Sequence, residues 1–378
     1  MAAGAALGKM GSGKVSAKSG DVDIQIFGSL HTYPTFVEDA DFNSDDTIFD
    51  AILDEGGWMA EESIRTEARL GFSGTGENWS FLTILEADFT YSKANADRGA
   101  NSTDPLDSGF TGEDFGIEKL EFTYDFGPFG LQTGWQTKAL DIRSGGLLYG
   151  DDHPFFALKG EYKTLGWEVL YLVIQDDIEN LDEGQRIGPF DADTLDWRVY
   201  SGKIDIPFGD STVSPFYAYS DNKDHDARTH YLGMEAFGKY GVFLPRAEFV
   251  YATGEIDVGD EEPDIGSWAA FASLELALSP LFNPYLGGYY VTGDDDADDD
   301  DIDAFNPITN ISRYTPAFGM ENAFIYRFVP ALGNHLYSNV PDVLGTAPGH
   351  GGIGTSAKLD RPGIMMLGLA FDLSLDIE

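Results

Sequence analysis

Apolar residues recur at every second position, in segments of about ten residues, along nearly the whole chain. In VDIQIFGSL, Val22, Ile24, Ile26 and Leu30 share one face, and Asp23, Gln25 and Ser29 take the other. In SIRTEARLGFS, Ile64, Ala68, Leu70 and Phe72 oppose Arg65, Glu67 and Arg69. In WSFLTILEADFTY, Trp79, Phe81, Leu85, Phe89 and Tyr91 oppose Glu86 and Asp88. A period of two is that of a strand, and about ten residues is the length of a tilted strand crossing a bilayer. A half-buried strand of a soluble sandwich alternates as well, so the connections must discriminate.

They alternate strictly in length. Short ones fall at 74–78, 127–130, 163–166, 207–210, 238–241 and 278–281, each rich in the Gly, Pro, Asn or Asp that tight turns require. Between them run long acidic stretches at 34–62, 92–115, 138–154, 176–194, 221–228 and 253–264. Short turns at one end and long loops at the other are the signature of an outer-membrane barrel, not of a sandwich. Aromatic residues gather at the short turns, among them Phe126, Phe129, Trp135, Tyr162, Trp167 and Tyr240, as an interfacial girdle would.

The expected fold is all-β: a transmembrane antiparallel up-and-down β-barrel of about fourteen strands. These lie near 22–33, 63–73, 79–91, 116–126, 130–137, 155–162, 167–175, 195–206, 211–220, 229–237, 242–252, 265–277, 282–292 and 363–375. The count rises to sixteen or eighteen if 317–329 contributes and the chain continues beyond FDLSLDIE, which lacks a terminal aromatic. Residues 1–21 are small and weakly basic, and are expected to form a flexible segment ahead of one barrel over 22–378. They hold no apolar core of signal-peptide length, so export implies a mature or incomplete chain. Residues 293–362 are expected to be one long outer loop, able to fold inward.

Charge narrows the function. Lys and Arg number 23 against 65 Asp and Glu, a net −42, which disfavours nucleic acid because phosphate contacts need clustered cations. With no cysteine there is no thiolate chemistry. The six histidines lack metal-ligand spacing, and no G-x-S-x-G or H-E-x-x-H is present, so no enzyme is expected.

Three stretches carry a resemblance to a known family. RTEARLGFSG with FLTILEADF, FTYDFGPFGLQTGWQ, and YYVTGDDDADDDDIDAFNP look like the early hairpin, the aromatic turn and the strand-to-acidic-loop junction of the outer-membrane porin superfamily, alginate-export type. The resemblance implies a channel. Trp135 stands where such barrels commonly show Arg before Gln136, and the net charge opposes a polyanionic cargo.

The polar faces of the strands supply a candidate pore wall. Its pore-lining residues are Arg65, Glu67, Arg69, Glu86, Asp88, Lys119, Glu121, Lys159, Glu161, Arg198, Arg246, Glu248 and Glu275. The wall is nearly neutral, so most of the negative excess sits in loops, where it concentrates cations. Passive diffusion of small hydrophilic solutes with cation preference is the expected function. The alternatives are a polysaccharide-export channel and a structural barrel that anchors a surface layer or filament.

The run Asp294–Asp301 spaces Asp294, Asp296, Asp298 and Asp300 like a calcium loop. Asp299 and Phe305 replace the Gly and Glu that an EF-hand needs, so no cofactor is expected beyond loosely bound Ca2+. Expected partners are outer-membrane lipid and lipopolysaccharide, small solutes or cations, further copies in a homotrimer, and a surface-layer protein. The expected location is the bacterial outer membrane.

Overall fold

The computed structural model describes residues 12–19, 22–36, 62–92, 111–175 (except 142 and 149), 197–308 (except 224–225, 258–261, 280, 295–300 and 306) and 364–373. All regular structure among them is β-strand. The chain forms two compact units, residues 1–136 with 319–330 and residues 137–318 with 331–378.

The first unit is a meander of β1 (Ser12–Ser19), β2 (Val22–Phe36), β3 (Glu62–Thr75), β4 (Trp79–Ser92), β5 (Thr111–Asp125) and β6 (Phe129–Ala139), whose last residues pass into the second unit. Each strand pairs antiparallel with the next, and β1 runs from Ser12 opposite Ser29 to Ser19 opposite Val22. The segment expected to be flexible at 1–21 therefore contains a strand. Its alternation over Lys14, Val15, Ser16 and Ala17 lets it satisfy the edge of β2 with ladder hydrogen bonds.

The second unit holds β7 (Gly150–Tyr162), β8 (Leu165–Gln175), β9 (Trp197–Phe208), β10 (Ser211–Asn222), β11 (Ala227–Gly238), β12 (Phe243–Ile256), β13 (Asp264–Leu276), β14 (Phe282–Val291), β15 (Asp301–Ile302) and β16 (Ile364–Leu373). From β7 to β14 each strand pairs with its chain neighbours, and β16 pairs with β14. The two-residue β15 lies parallel to β13. All fourteen strands read from the alternation are present, as β2 to β14 and β16.

The six hairpins from β3–β4 to β13–β14 fall where the turn chemistry put them. Lys163, Gly209 and Gly241 take positive φ of 59°, 61° and 64° inside the tight turns after β7, β9 and β11. The Gly127 amide donates to Asp125 Oδ1 at 2.7 Å, an Asx-type closure of the β5–β6 hairpin.

Each unit has one bare apolar face. In the first it carries Ile24, Ile26, Leu30, Leu70, Leu120, Phe122 and Trp135, all exposed, while Gln25, Arg69, Glu86, Glu121 and Gln132 lie on the polar face. In the second, Val169, Ile204, Leu232, Met234, Phe249, Leu286 and Met365 point away from a covered face. Leu232 is 51% exposed and Met365 80% exposed. Exposed rows of this kind invert the soluble pattern.

Candidate functional site

The covered face of the second unit is where two loops turn back onto their own strands. Residues 140–148, between β6 and β7, bury Leu140, Leu147 and Leu148; residues 301–308 bury Ile302, Ala304, Phe305 and Ile308. The strand positions on this face are correspondingly small or apolar: Ala157, Val199, Ala218, Val250, Ala252 and Ala269 are all buried. Phe305 meets the edge of Tyr231 with ring centroids 6.4 Å apart, and its amide donates to Thr292 O at 3.1 Å. Of the expected outer loop 138–154, the ends continue β6 and β7, and 140–148 packs onto the covered face, because its paired leucines gain more from burial than a solvated loop could.

Toward the short-turn end the covered face becomes charged. Glu235 and Glu248 are direct partners across β11 and β12, and both are buried. Like charges opposite one another repel, so this pairing requires donors from elsewhere. The 140–148 loop supplies them. Ser144 Oγ and Ser144 N–H reach Glu235 at 3.1 and 3.2 Å, and Arg143 and Lys203 lie 3.0 and 3.3 Å from it. Glu248 lies 3.0 Å from Ser144 Oγ, whose one proton serves either Glu235 or Glu248, and accepts from the amides of Gly145, Gly146 and Leu147 at 2.6, 3.0 and 3.4 Å. Gly145 has no room for a side chain, since a Cβ there would sit 2.7 Å from Glu248 Oε2 and 2.8 Å from Phe271 Cβ.

Arg143 is the meeting point. Its guanidinium donates to both oxygens of Asp205 at 2.8 and 2.6 Å and to Ser214 Oγ at 3.0 Å, and it lies over the Phe237 ring at 4.9 Å. Burial opposes its charge, but hydrogen bonding to Asp205 and the fields of Glu235 and Asp205 outweigh this and raise its pKa above the ordinary arginine range. Arg246 donates to Arg143 O at 3.1 Å and approaches Glu275 at 3.7 Å. Arg143, Asp205, Arg246 and Glu275 each keep between a quarter and two fifths of their side chains in solvent. Cations and carboxylates fixed side by side can orient a passing dipole or ion without any chemistry.

The pore-lining residues expected from the alternation separate into groups. In the first unit Arg69 bonds Glu86 and reaches Glu118 at 3.1 Å, and Glu121 accepts from Gln132. Lys119 shares that face, while the side chains of Arg65, Glu67 and Asp88 lie outside the described residues. In the second unit Lys159 stands opposite Glu168, and Glu161 opposite Gly166. Arg246, Glu248 and Glu275 come together on the covered face, but Glu248 is buried beneath the loop and does not line an open wall.

Arg198 is a correction: it lies on the bare face. Trp197 and Val199 beside it are buried, because here the covered face is apolar and the usual polarity of the two faces is reversed. The same reversal puts Tyr289 inside, leaving Tyr290 on the bare face. Of the acid run, Asp294 is buried, and Asp296, Asp298 and Asp300 lie outside the described residues. No group of three metal-ligating side chains occurs among the described residues.

Lys203, Asp205 and Glu235 were readable from parity with Ile204, Ile206, Leu232 and Met234 but are absent from the expected set. Glu118 escapes parity altogether, since a β-bulge between Ile84 and Leu85 lets it share the face of Lys119. Arg143 gives one signal only, its place between apolar residues in a loop that should be polar.

No family model matches the chain, and no curated protein matches it. Among solved structures it is similar to OmpT, an outer membrane protein of Vibrio cholerae, at 13% identity and a TM-score of 0.35, covering 77% of this chain and 94% of that one. It is similar to OmpF of Salmonella typhi in complex with daunomycin at 10% identity and a TM-score of 0.34, covering 73% and 92%. An anion-selective porin from Comamonas acidovorans gives 12% identity and 0.34, covering 77% and 92%. Similarities at this level carry no weight for this chain's fold or activity, which rest on its own geometry.

Proposed function

We propose that the chain is an outer-membrane β-barrel serving passive diffusion of small hydrophilic solutes, with a preference for cations, and that the Arg143 cluster is its constriction. The bare face of the second unit carries this reading, because it is layered like a membrane section. Arg198, Asp221, Arg228, Glu255 and Asp264 are successive ladder partners and form one ionic row across β9 to β13. The row below it is aromatic, with Tyr171, Tyr200, Tyr219 and His230 in register and ring centroids 4.9 to 6.4 Å apart. Exposed aliphatic and aromatic side chains follow, down to Phe208, Tyr240 and Phe243 at the short turns. From Arg198 to Phe208, at about 3.3 Å per residue and a tilt of about 40°, the span is roughly 25 Å, the height of an outer-membrane apolar band.

Cation preference rests on the excess of 65 acids over 23 basic residues, most of it in the long connections. Reversal potentials of the purified protein in planar bilayers under a salt gradient test the reading. Cation selectivity is expected, and anion selectivity or the absence of conductance would overturn it. A second reading, a structural barrel that anchors a surface layer, is favoured by the apolar packing of 140–148 and 301–308 on the covered face. Native purification with a stoichiometric partner, together with no conductance, would select it.

A further inference from the structure

Glu248 occupies a position that bound anions occupy in other folds. Consecutive backbone N–H groups converging on one point form a nest for negative charge. Here the amides of Gly145 and Gly146 and the hydroxyl of Ser144 converge on Glu248 Oε2 at 2.6, 3.0 and 3.0 Å, with Leu147 N–H at 3.4 Å from Oε1. The donors come from a loop and the acceptor from strand β12, so the contact ties one to the other. The residue just before the nest is Arg143, whose carbonyl is held by Arg246 and whose guanidinium lies on Asp205.

We infer that Glu248 is the positioning residue of the constriction, a built-in carboxyl group that holds the Ser144–Leu147 nest against the wall and so places Arg143 over Asp205 and Glu235. This rests on the channel reading for its consequence but not for its geometry. Glu235 cannot substitute, since its oxygens are already engaged by Arg143, Lys203 and Ser144. Gly145 and Gly146 are the sequence mark of the device, because a side chain at Gly145 would collide with Glu248 and Phe271.

The test compares the full-length protein with Glu248→Ala, in lipid vesicles for amide hydrogen exchange and in planar bilayers for conductance. In the variant, exchange at Gly145, Gly146 and Leu147 should quicken by roughly 2- to 10-fold, as expected from losing an intramolecular hydrogen bond. Open-channel conductance should rise and fluctuate, and a further Arg143→Ala change should leave selectivity unaltered, because Arg143 has already left its place. Formate, a small carboxylate able to enter the vacated nest, should restore both exchange and conductance; a merely structural defect would not respond to it.

Wild-type exchange at the three amides in a folded Glu248→Ala protein would overturn the inference, as would indifference to formate. A wild-type protein without conductance, whose variant nevertheless shows faster exchange reversed by formate, would support the positioning role and overturn the channel reading alone. If Glu248→Ala does not insert, Glu248→Leu keeps the bulk without an acceptor. Faster exchange in that variant supports the role, and a wild-type rate overturns it.

Discussion

The backbone N–H of Ile308 donates to the carbonyl of Leu148 at 3.0 Å, joining two loops far apart in the second unit's sequence. Both segments are buried on the same face of the sheet, with Phe305 and Leu148 fully shielded from solvent. The loop that carries Arg143 is therefore braced from above by 301–308 and held from below by Glu235 and Glu248. Either brace, once weakened, should be felt at the other.

Phe305→Ala removes the largest fully buried side chain of the upper brace. A cavity of this kind costs roughly 3–5 kcal/mol where the surroundings do not collapse. Hydrogen exchange should quicken at Ile308 and also within 140–148, whereas a response confined to 301–308 would show that the two loops move independently.

Arg143→Ala and Arg198→Ala should differ in permeation although both remove one positive charge. Arg143 lies among Asp205, Glu235 and Ser214, and its loss should raise cation selectivity and conductance. Arg198 lies on the bare face, so its reversal potential should match wild type. Equal shifts in the two variants would contradict the placement of Arg198.

Leu232→Arg places a charge in the middle of the bare face. In a bilayer this should destabilise the fold by about 2–4 kcal/mol, read as a lower urea midpoint in vesicle-inserted protein. In a water-exposed sheet the same change would be neutral, so an unchanged midpoint argues against the membrane seat.

Gly145→Ala inserts one carbon where Glu248 and Phe271 leave no space. Overpacking should cost about 1–3 kcal/mol and loosen the Ser144–Leu147 amides while leaving the hairpins intact. Exchange measured residue by residue separates the two, since protection in β11 and β12 should persist.

The period of two, the lengths of the connections and the glycines at the turns were enough to place the six hairpins from β3–β4 to β13–β14, though not β1–β2, because tight turns and strand alternation are local properties of a few adjacent residues. Lys203, Asp205 and Glu235 were equally accessible by parity with Ile204 and Leu232. What local pattern could not reveal is which polar residues meet. Glu118 reaches Arg69 only because a bulge shifts the register, and Arg198 takes the bare face because its neighbours Trp197 and Val199 are buried on the other. Arg143 lies 62 residues from Asp205 and 92 from Glu235 along the chain, and no spacing rule connects them. The sequence by itself determined fourteen of the strands, six of their turns and the apolar band. Only the tertiary structure decided that two loops would cover one face, since burial of Leu147, Leu148 and Phe305 and the neutralisation of Glu235 and Glu248 exist only once those strands stand side by side.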